Sequence, residues 1–237
     1  MSTLNPTKKI SRRQELRKDT VVTFYARVWQ FFDQNRKLVY GILAGIAVVI
    51  VALIGYAFYQ NARQSEALEK MAGAVQAYEQ GNYREALDGT ADFVGLLAII
   101  DDYGSTDAGN LARFYAADAL FRLGEYDEAL KYFKEFDKPD NIIGASAVAG
   151  EAAIYEHKGE HKRAGDLYRR AAEMVDTDLI SAQYLLDAAR AYEEAGDYRR
   201  AREAYEEIQD RYPDAPAAQK IDLYLARLEA LEKAASE

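Results

Sequence analysis

Cysteine is absent from this chain of 237 residues, and proline, histidine and tryptophan are scarce, at four, two and one residues. The lack of cysteine excludes disulfide bonds, thiol catalysis and cysteine-ligated metals. Few prolines, together with abundant Ala, Glu, Leu, Arg and Tyr, favour helices. We therefore expect an all-α protein.

The signature motifs of common enzymes are also missing: there is no GxSxG, P-loop, HExxH or glycine-rich dinucleotide turn. His157 and His161 have the spacing of metal ligands on one helix, but Gly159 lies between them at a predicted turn. Adjacent carboxylates at 101–102 and 193–194 point in different directions on a helix, and we predict that they are solvated. The sequence therefore predicts no enzyme, no cofactor and no metal site.

Charge is distributed unevenly along the chain. Residues 1–37 carry nine basic and three acidic side chains, and residues 38–60 carry none of either sign. The remainder carries a net charge of −15, which would repel nucleic acid. We predict three parts: a basic segment (1–37), an apolar segment (38–60) and an acidic domain (61–237).

The apolar segment has the length and composition of a membrane-spanning helix. Its centre, VYGILAGIAVVIVALIGYAFY, supplies the roughly 20 residues that a bilayer core of about 30 Å requires. A cleaved signal peptide fits less well, because 37 residues precede the run and bulky Tyr56, Phe58 and Tyr59 stand where small residues would guide cleavage. We predict an uncleaved single-pass anchor in the lipid bilayer.

The residues that flank this segment predict its orientation. Arg27, Arg36 and Lys37 precede it, whereas Arg63 and Lys70 follow it beside acidic residues. The positive-inside rule places the amino terminus in the cytoplasm and the acidic domain outside. Apolar residues at helical spacing in 21–32 predict a helix on the inner leaflet.

Gly41 and Gly45 form a GxxxG pair within the apolar segment. Such a pair lets two membrane helices approach closely, and glycine is also simply common in membrane helices. A homo-oligomer held by this pair is one prediction.

Glycines followed two residues later by an aromatic ring or histidine, and five residues later by alanine, recur at 81, 124, 159 and 196. Their separations are 43, 35 and 37 residues, and the last two are close to the 34-residue period of a helix-turn-helix repeat. In the fourth copy Gly196 allows the chain to reverse, Ala201 allows close helix approach, and Tyr205 continues the buried stripe. The pattern predicts pairs of antiparallel helices stacked on their neighbours.

These residues resemble tetratricopeptide repeats across about residues 65–234. The first copy departs from the pattern after Ala86, and we expect its second helix to be extended or interrupted through GTADFVGLLAIIDDYGST. Residues 216–234 read as a capping helix with an exposed polar face. The predicted fold is thus all-α: one transmembrane helix, then a solenoid of about four repeats with a capping helix.

The layout of basic head, single span and acidic repeat domain resembles the ancillary subunit of the bacterial Sec translocon. That resemblance implies an inner-membrane protein with a periplasmic repeat domain. It also implies partners among translocon subunits, periplasmic chaperones or newly exported chains. The alternative prediction is a self-associating structural organiser of an envelope complex.

In such repeats the first helix of each copy lines the binding groove. Aligning the turn glycines gives the candidate partner-binding residues Met71, Val75, Tyr78, Leu111, Phe114, Asp118, Phe121, Arg122, Ala149, Ala153, Glu156, His157, Gln183, Leu186, Arg190, Glu193 and Glu194. Several would be exposed apolar groups, which often mark interaction surfaces.

Overall fold

A computed structural model describes residue 26, residues 29–175 and residues 177–236. Besides a helical stretch over 29–34, these ranges contain ten α-helices: α1 Arg36–Glu79, α2 Tyr83–Asp88, α3 Leu96–Tyr103, α4 Asp107–Arg122, α5 Tyr126–Glu135, α6 Ile142–His157, α7 His161–Glu173, α8 Asp178–Glu194, α9 Tyr198–Arg211 and α10 Ile221–Ser236. The described residues contain one isolated β-bridge, Gly89 to Val94, and no strand. The prediction of an all-helical repeat fold is therefore confirmed.

The chain divides into two compact units, residues 1–59 and 60–237. In the first unit, the described residues are helical over 29–34 and again from Arg36, where α1 begins. Most of the predicted inner-leaflet helix over 21–32 and most of the basic segment lie outside the described residues. The Trp29 and Phe32 rings stack with centroids 6.2 Å apart.

The part of α1 in the first unit keeps its apolar side chains exposed on all sides. Between Leu38 and Tyr59, the large exposed hydrophobic side chains retain 50–75% of their accessible surface. Among the described residues, α1 alone is long and apolar enough to cross a membrane by length and composition. A helix that is apolar all round needs a nonaqueous environment on every side.

The second unit is built from helix pairs that pack in chain order. Helix α4 packs on α5, α6 on α7 and α8 on α9, and each pair also contacts the next one. The alanines predicted to allow this close approach, Ala86, Ala129, Ala164 and Ala201, are completely buried. Such nearest-neighbour packing is the defining property of a solenoid.

Each turn between paired helices ends the first helix in the same way. The turn glycines 81, 124, 159 and 196 have φ values of 82°, 80°, 75° and 70°. In the fourth turn the Gly196 amide donates to the Glu193 carbonyl and the Asp197 amide to the Tyr192 carbonyl, both at 2.9 Å. These two bonds form a Schellman motif, and the other three turns repeat it. The positive φ predicted for the turn is confirmed.

The first copy is interrupted as predicted. Helix α2 has six residues and ends at Asp88; the following residue, Gly89, has a φ of 82°. The chain then bends back through the Gly89–Val94 bridge and continues as α3. A side chain at Gly73 would overlap Phe93, because an added Cβ would lie 2.5 Å from the Phe93 Cβ. The Phe93 side chain therefore packs the bend against Gly73 of α1.

The last repeat ends where the sequence predicts. Helix α9 stops at Arg211, just before Tyr212 and Pro213, and a 3₁₀ turn over Pro216–Lys220 leads into α10. Ile221 and Leu228 of α10 are buried, as a capping helix requires. Its outer face is less polar than predicted, because Leu223 remains 68% exposed.

Candidate protein-binding surface

The predicted binding residues lie on the first helix of each pair: the second part of α1, then α4, α6 and α8. We call this set of helix faces the first-helix surface. Arg122, Glu156, His157, Gln183, Arg190 and Glu194 are exposed, while Val75, Tyr78, Leu111, Phe114, Asp118, Phe121, Ala149 and Ala153 are half-buried. These fourteen side chains retain contact with solvent.

Two of the predicted residues need correction. Met71 and Leu186 are only 5% and 6% exposed and belong to the buried core. Both lie ten residues before their turn glycine, a position at which Phe114 and Ala149 are only half-buried in the other two copies. Met71 and Leu186 cannot contact a bound protein unless the repeats separate.

A polar and aromatic cluster joins α1 to α4. The Tyr78 hydroxyl donates to Asp118 Oδ2, which also accepts from Arg122 Nε at 2.5 Å. The Tyr78 ring meets those of Tyr83 and Tyr115 edge to face, with centroids 5.6 and 5.1 Å away. Burial and the hydrogen bond to the Asp118 carboxylate raise the pKa of Tyr78 to about 12, so it remains a neutral donor.

An aromatic stack joins α4 to α6. The His157 ring lies parallel to the Tyr126 ring at 4.6 Å, and Phe121 meets both rings at 5.5–6.0 Å. His157 Nε2 is 3.5 Å from the Tyr126 hydroxyl. This packing gives His157 a structural role, and within the described residues no group of three potential ligands could hold a metal ion.

A second polar cluster joins α6 to α8. Ser146 Oγ lies 3.3 Å from the Tyr184 hydroxyl, and the Tyr168 hydroxyl donates to Glu156 Oε2 at 3.0 Å. Burial, followed by the Glu156 charge, raises the pKa of Tyr168 above its usual value. Burial also raises the pKa of Asp187, which accepts from Gln183 Nε2 at 3.1 Å.

The capping helix completes the row of contacts. Arg190 Nη2 donates to the Tyr224 hydroxyl at 3.4 Å, and the Tyr224 ring stacks on Tyr205 with centroids 5.5 Å apart. Glu193 pairs with Arg227, and its side chain is only 8% exposed. The prediction that Glu193 is solvated is wrong, because α10 covers it; its neighbour Glu194 is exposed, as are Asp101 and Asp102.

Sequence reasoning missed several residues of this surface. Tyr115, Tyr184 and Asp187 lie beside the predicted positions, and Tyr224 comes from the capping helix. A signal for Asp187 was present, since it is three residues before Arg190 and four after Gln183, which places all three on one helix face. Nothing in the sequence pairs Tyr224 with Arg190.

Gly41 and Gly45 lie one turn apart on the exposed part of α1. A Cβ added to either glycine would meet nothing within 4 Å. Neither glycine therefore packs against another part of the chain that the structure describes.

Comparison with known proteins agrees with this architecture. Family models described as tetratricopeptide repeat match residues 96–142 and 183–215. No match was found among curated proteins. Two crystal structures of nearly identical TPR-like repeats, from a kinesin-light-chain-like protein of Podosopora anserina, are similar in fold, with 16% identity and TM-scores of 0.54 and 0.55. Each alignment covers 72% of this chain and 88% of the other, and one of the two carries a single substitution. The chain thus carries tetratricopeptide repeats arranged in an all-helical solenoid.

Proposed function

We propose that this protein is a non-enzymatic, membrane-tethered scaffold whose first-helix surface binds a segment of another protein. The observation that carries this proposal is the combination of a fully exposed apolar helix with a repeat unit that leaves aromatic and charged side chains accessible.

The anchor follows from the surface of α1 between Leu38 and Tyr59. Uncharged, apolar surface on every side of a helix of this length matches the lipid core of a bilayer. A soluble helix packed on one partner would leave its remaining sides apolar and in water. Lipid covers all sides at once.

The binding role follows from the repeats. Tetratricopeptide repeats typically bind proteins or peptides, and stacked repeats create an extended surface for a segment of another chain. The contacts from Tyr78 to Asp118 and from Arg190 to Tyr224 hold the exposed groups in fixed positions before a partner arrives. Such preorganisation reduces the entropy lost on binding.

The charge asymmetry supports a location in the bacterial inner membrane, with the repeat unit in the periplasm. There the scaffold would stand beside the Sec translocon and pass exported chains to periplasmic chaperones. Tethering raises the effective concentration of the surface near its partner.

Site-specific crosslinking in native membranes tests the proposal. We expect a photoreactive amino acid at His157 or Arg190 to capture a discrete protein partner. The same probe at exposed Glu206 on α9, a second helix of its pair, should capture little. Equal capture from all three positions would contradict the binding surface. A partner that is neither a translocon subunit, a chaperone nor an exported chain would reject only the translocon role.

One observation favours a second function. Gly41 and Gly45 are open to close approach by another helix, so the protein could act as a self-associating organiser of an envelope complex. This alternative requires the span itself to drive assembly.

A further inference from the structure

A cavity of about 290 Å³ lies where the loop between the second and third repeats meets α4 and α6. Seven residues line it: Asp107, Asn110, Leu111, Phe136, Asp137, Pro139 and Ile143. We call it the loop cavity. It is near the lower end of the size range of ligand pockets, about 300 Å³, so it has room for one or two bulky side chains.

The inside of the loop cavity is apolar. Phe136 is buried, and its ring is held by Phe114 with centroids 5.7 Å apart. Leu111 and Ile143 are half-buried and keep part of their side chains accessible to the cavity. Only Leu111 among the lining residues belongs to the surface predicted from the repeat pattern.

The loop that closes the cavity has a fixed conformation. Asn110 bonds Asp137 twice: its Nδ2 donates to the Asp137 carbonyl and its Oδ1 accepts from the Asp137 amide, both at 2.9 Å. Lys138 points elsewhere, because its Nζ lies 3.0 Å from Glu151 Oε1, and both side chains are largely buried. The cavity therefore exists before any ligand binds.

The rim of the cavity is acidic. The carboxylates of Asp107 and Asp137 are exposed, and within residues 29–175 and 177–236 no ion pair involves either of them. The nearest cation along the loop, Lys138, is already neutralised by Glu151. An apolar interior with a negative rim that lacks ion pairs among the described residues is complementary to an apolar side chain flanked by positive charge.

We infer that the loop cavity binds a bulky apolar side chain of a partner protein that has Lys or Arg directly beside it. This inference rests on the proposed scaffold function and specifies the partner's chemistry. The apolar side chain enters between Leu111, Phe136 and Ile143. The flanking cation lies against Asp107 and Asp137, where the net charge of −15 beyond residue 60 also attracts it.

Short peptides with blocked ends test the inference on the full chain in lipid nanodiscs. Each peptide carries a central benzophenone side chain as the apolar group, flanked by Lys, Ser or Glu. We expect the Lys peptide to crosslink to segments that contain Leu111 or Ile143. The Glu peptide should do so about fivefold to tenfold less, as the loss of two weak surface ion pairs predicts.

Two charge-reversal variants make the test specific. Asp137→Lys should reduce crosslinking of the Lys peptide at the cavity about fivefold. Asp214→Lys changes the net charge equally but lies on an exposed loop after α9, and it should leave crosslinking unchanged. Because both aspartates are exposed, both variants should retain the helical circular dichroism of the parent.

The outcomes separate this inference from the proposed function. Crosslinking at other places on the repeat unit, unaffected by Asp137→Lys, would overturn the cavity and leave the scaffold intact. Equal crosslinking of all three peptides would also overturn it, because charge would play no part. If no peptide crosslinks while probes at His157 and Arg190 still capture a partner, only the inference about the loop cavity is contradicted. If these positions capture nothing either, both proposals fail.

Discussion

At the residue scale, glycine has two unrelated roles in the repeats. Gly196 has a φ of 70° and open space around it, so only its backbone conformation requires glycine. Gly165 has no such conformation, but an added Cβ would lie 2.6 Å from Cε1 of Tyr192. The first glycine permits a turn, and the second permits a tyrosine ring from the next repeat to contact the helix backbone.

Substitution by alanine and asparagine should distinguish these roles. We expect Gly196→Ala to lower the free energy of unfolding by about 1–2 kcal/mol, the cost of the left-handed conformation. Gly196→Asn should recover part of that loss, because asparagine tolerates this conformation. Gly165→Ala should cost about 1–3 kcal/mol through overpacking, and Gly165→Asn should cost more. Thermal unfolding of the full chain in mild detergent, followed by circular dichroism, measures all four. An equal benefit from asparagine at both sites would refute the distinction.

Tyrosines at the helix contacts predict a loss of stability in alkali. Burial is the largest cause that raises the pKa of Tyr192 and of Tyr205 to about 12, from an ordinary value of 10.0. Since the folded protein holds these protons more tightly, their stabilisation is complete below pH 10.0 and is lost as the pH rises through about 12. The folded chain should therefore unfold in this range together with the appearance of tyrosinate absorbance.

Two phenylalanine variants test whether these tyrosines cause the predicted loss of stability at high pH. The Glu193 carboxylate lies near the Tyr205 hydroxyl, but within the described residues this hydroxyl has no hydrogen-bond partner of good geometry, so Tyr205→Phe should be nearly neutral at pH 7 and more stable than the parent in alkali. The Tyr192 hydroxyl donates to Asp166 at 2.8 Å, so Tyr192→Phe should lose about 1 kcal/mol at pH 7. Urea unfolding of the parent and both variants, repeated from pH 7 to pH values in the alkaline range, would measure these differences in the free energy of unfolding. If Tyr205→Phe follows the parent curve in alkali, Tyr205 does not control the transition.

At the element scale, the sequence predicts helices and turns better than it predicts surfaces. The turn at Gly196 and the buried Ala201 follow from local chemistry, namely positive φ and small size, and both are confirmed. The bend after α2 was predictable in outline from excess length, but its closure depends on Phe93 meeting Gly73, a contact between distant residues. Glu193 was misjudged because Arg227 of α10 pairs with it, and the pattern of a single helix does not contain that contact. The loop cavity was not predicted, because its loop residues have no helical periodicity that would indicate which side chains lie together.

The apolar segment of α1 is an element whose proposed pairing can be tested by itself. If Gly41 and Gly45 hold two helices together, replacing both by Leu should convert a dimer to a monomer in mild detergent, because the larger side chains keep the backbones apart. Gly55→Leu is the matched control, since Gly55 also lies in the span and its added Cβ meets nothing within 4 Å. Size-exclusion chromatography with light scattering measures the mass. An unchanged mass in the double variant would count against the organiser function.

At the scale of the whole molecule, the apolar segment and the repeat unit differ in composition, and the two compositions favour different solvents. Lipid suits residues 38–59, because their helix is uncharged and exposed on all sides. Water suits residues 60–237, whose buried core is formed largely by alanine, leucine and tyrosine from every repeat. Under the proposed function, basic charge before the apolar segment and acidic charge after it predict a preferred direction across a membrane.

This direction can be measured with single thiols, because the natural chain contains no cysteine. In spheroplasts with an intact inner membrane, Ser105→Cys should react with a membrane-impermeant maleimide, since Ser105 is exposed on the repeat unit. Ser11→Cys precedes the span among the basic residues and should react only after the membrane is broken. The physical reason is that the basic residues before the apolar segment favour retention of the amino terminus in the cytoplasm. Labelling of Ser11→Cys before lysis, with Ser105→Cys protected, would place the repeats in the cytoplasm and remove exported chains from the possible partners. Labelling of both before lysis would show that the apolar helix does not separate two compartments at all.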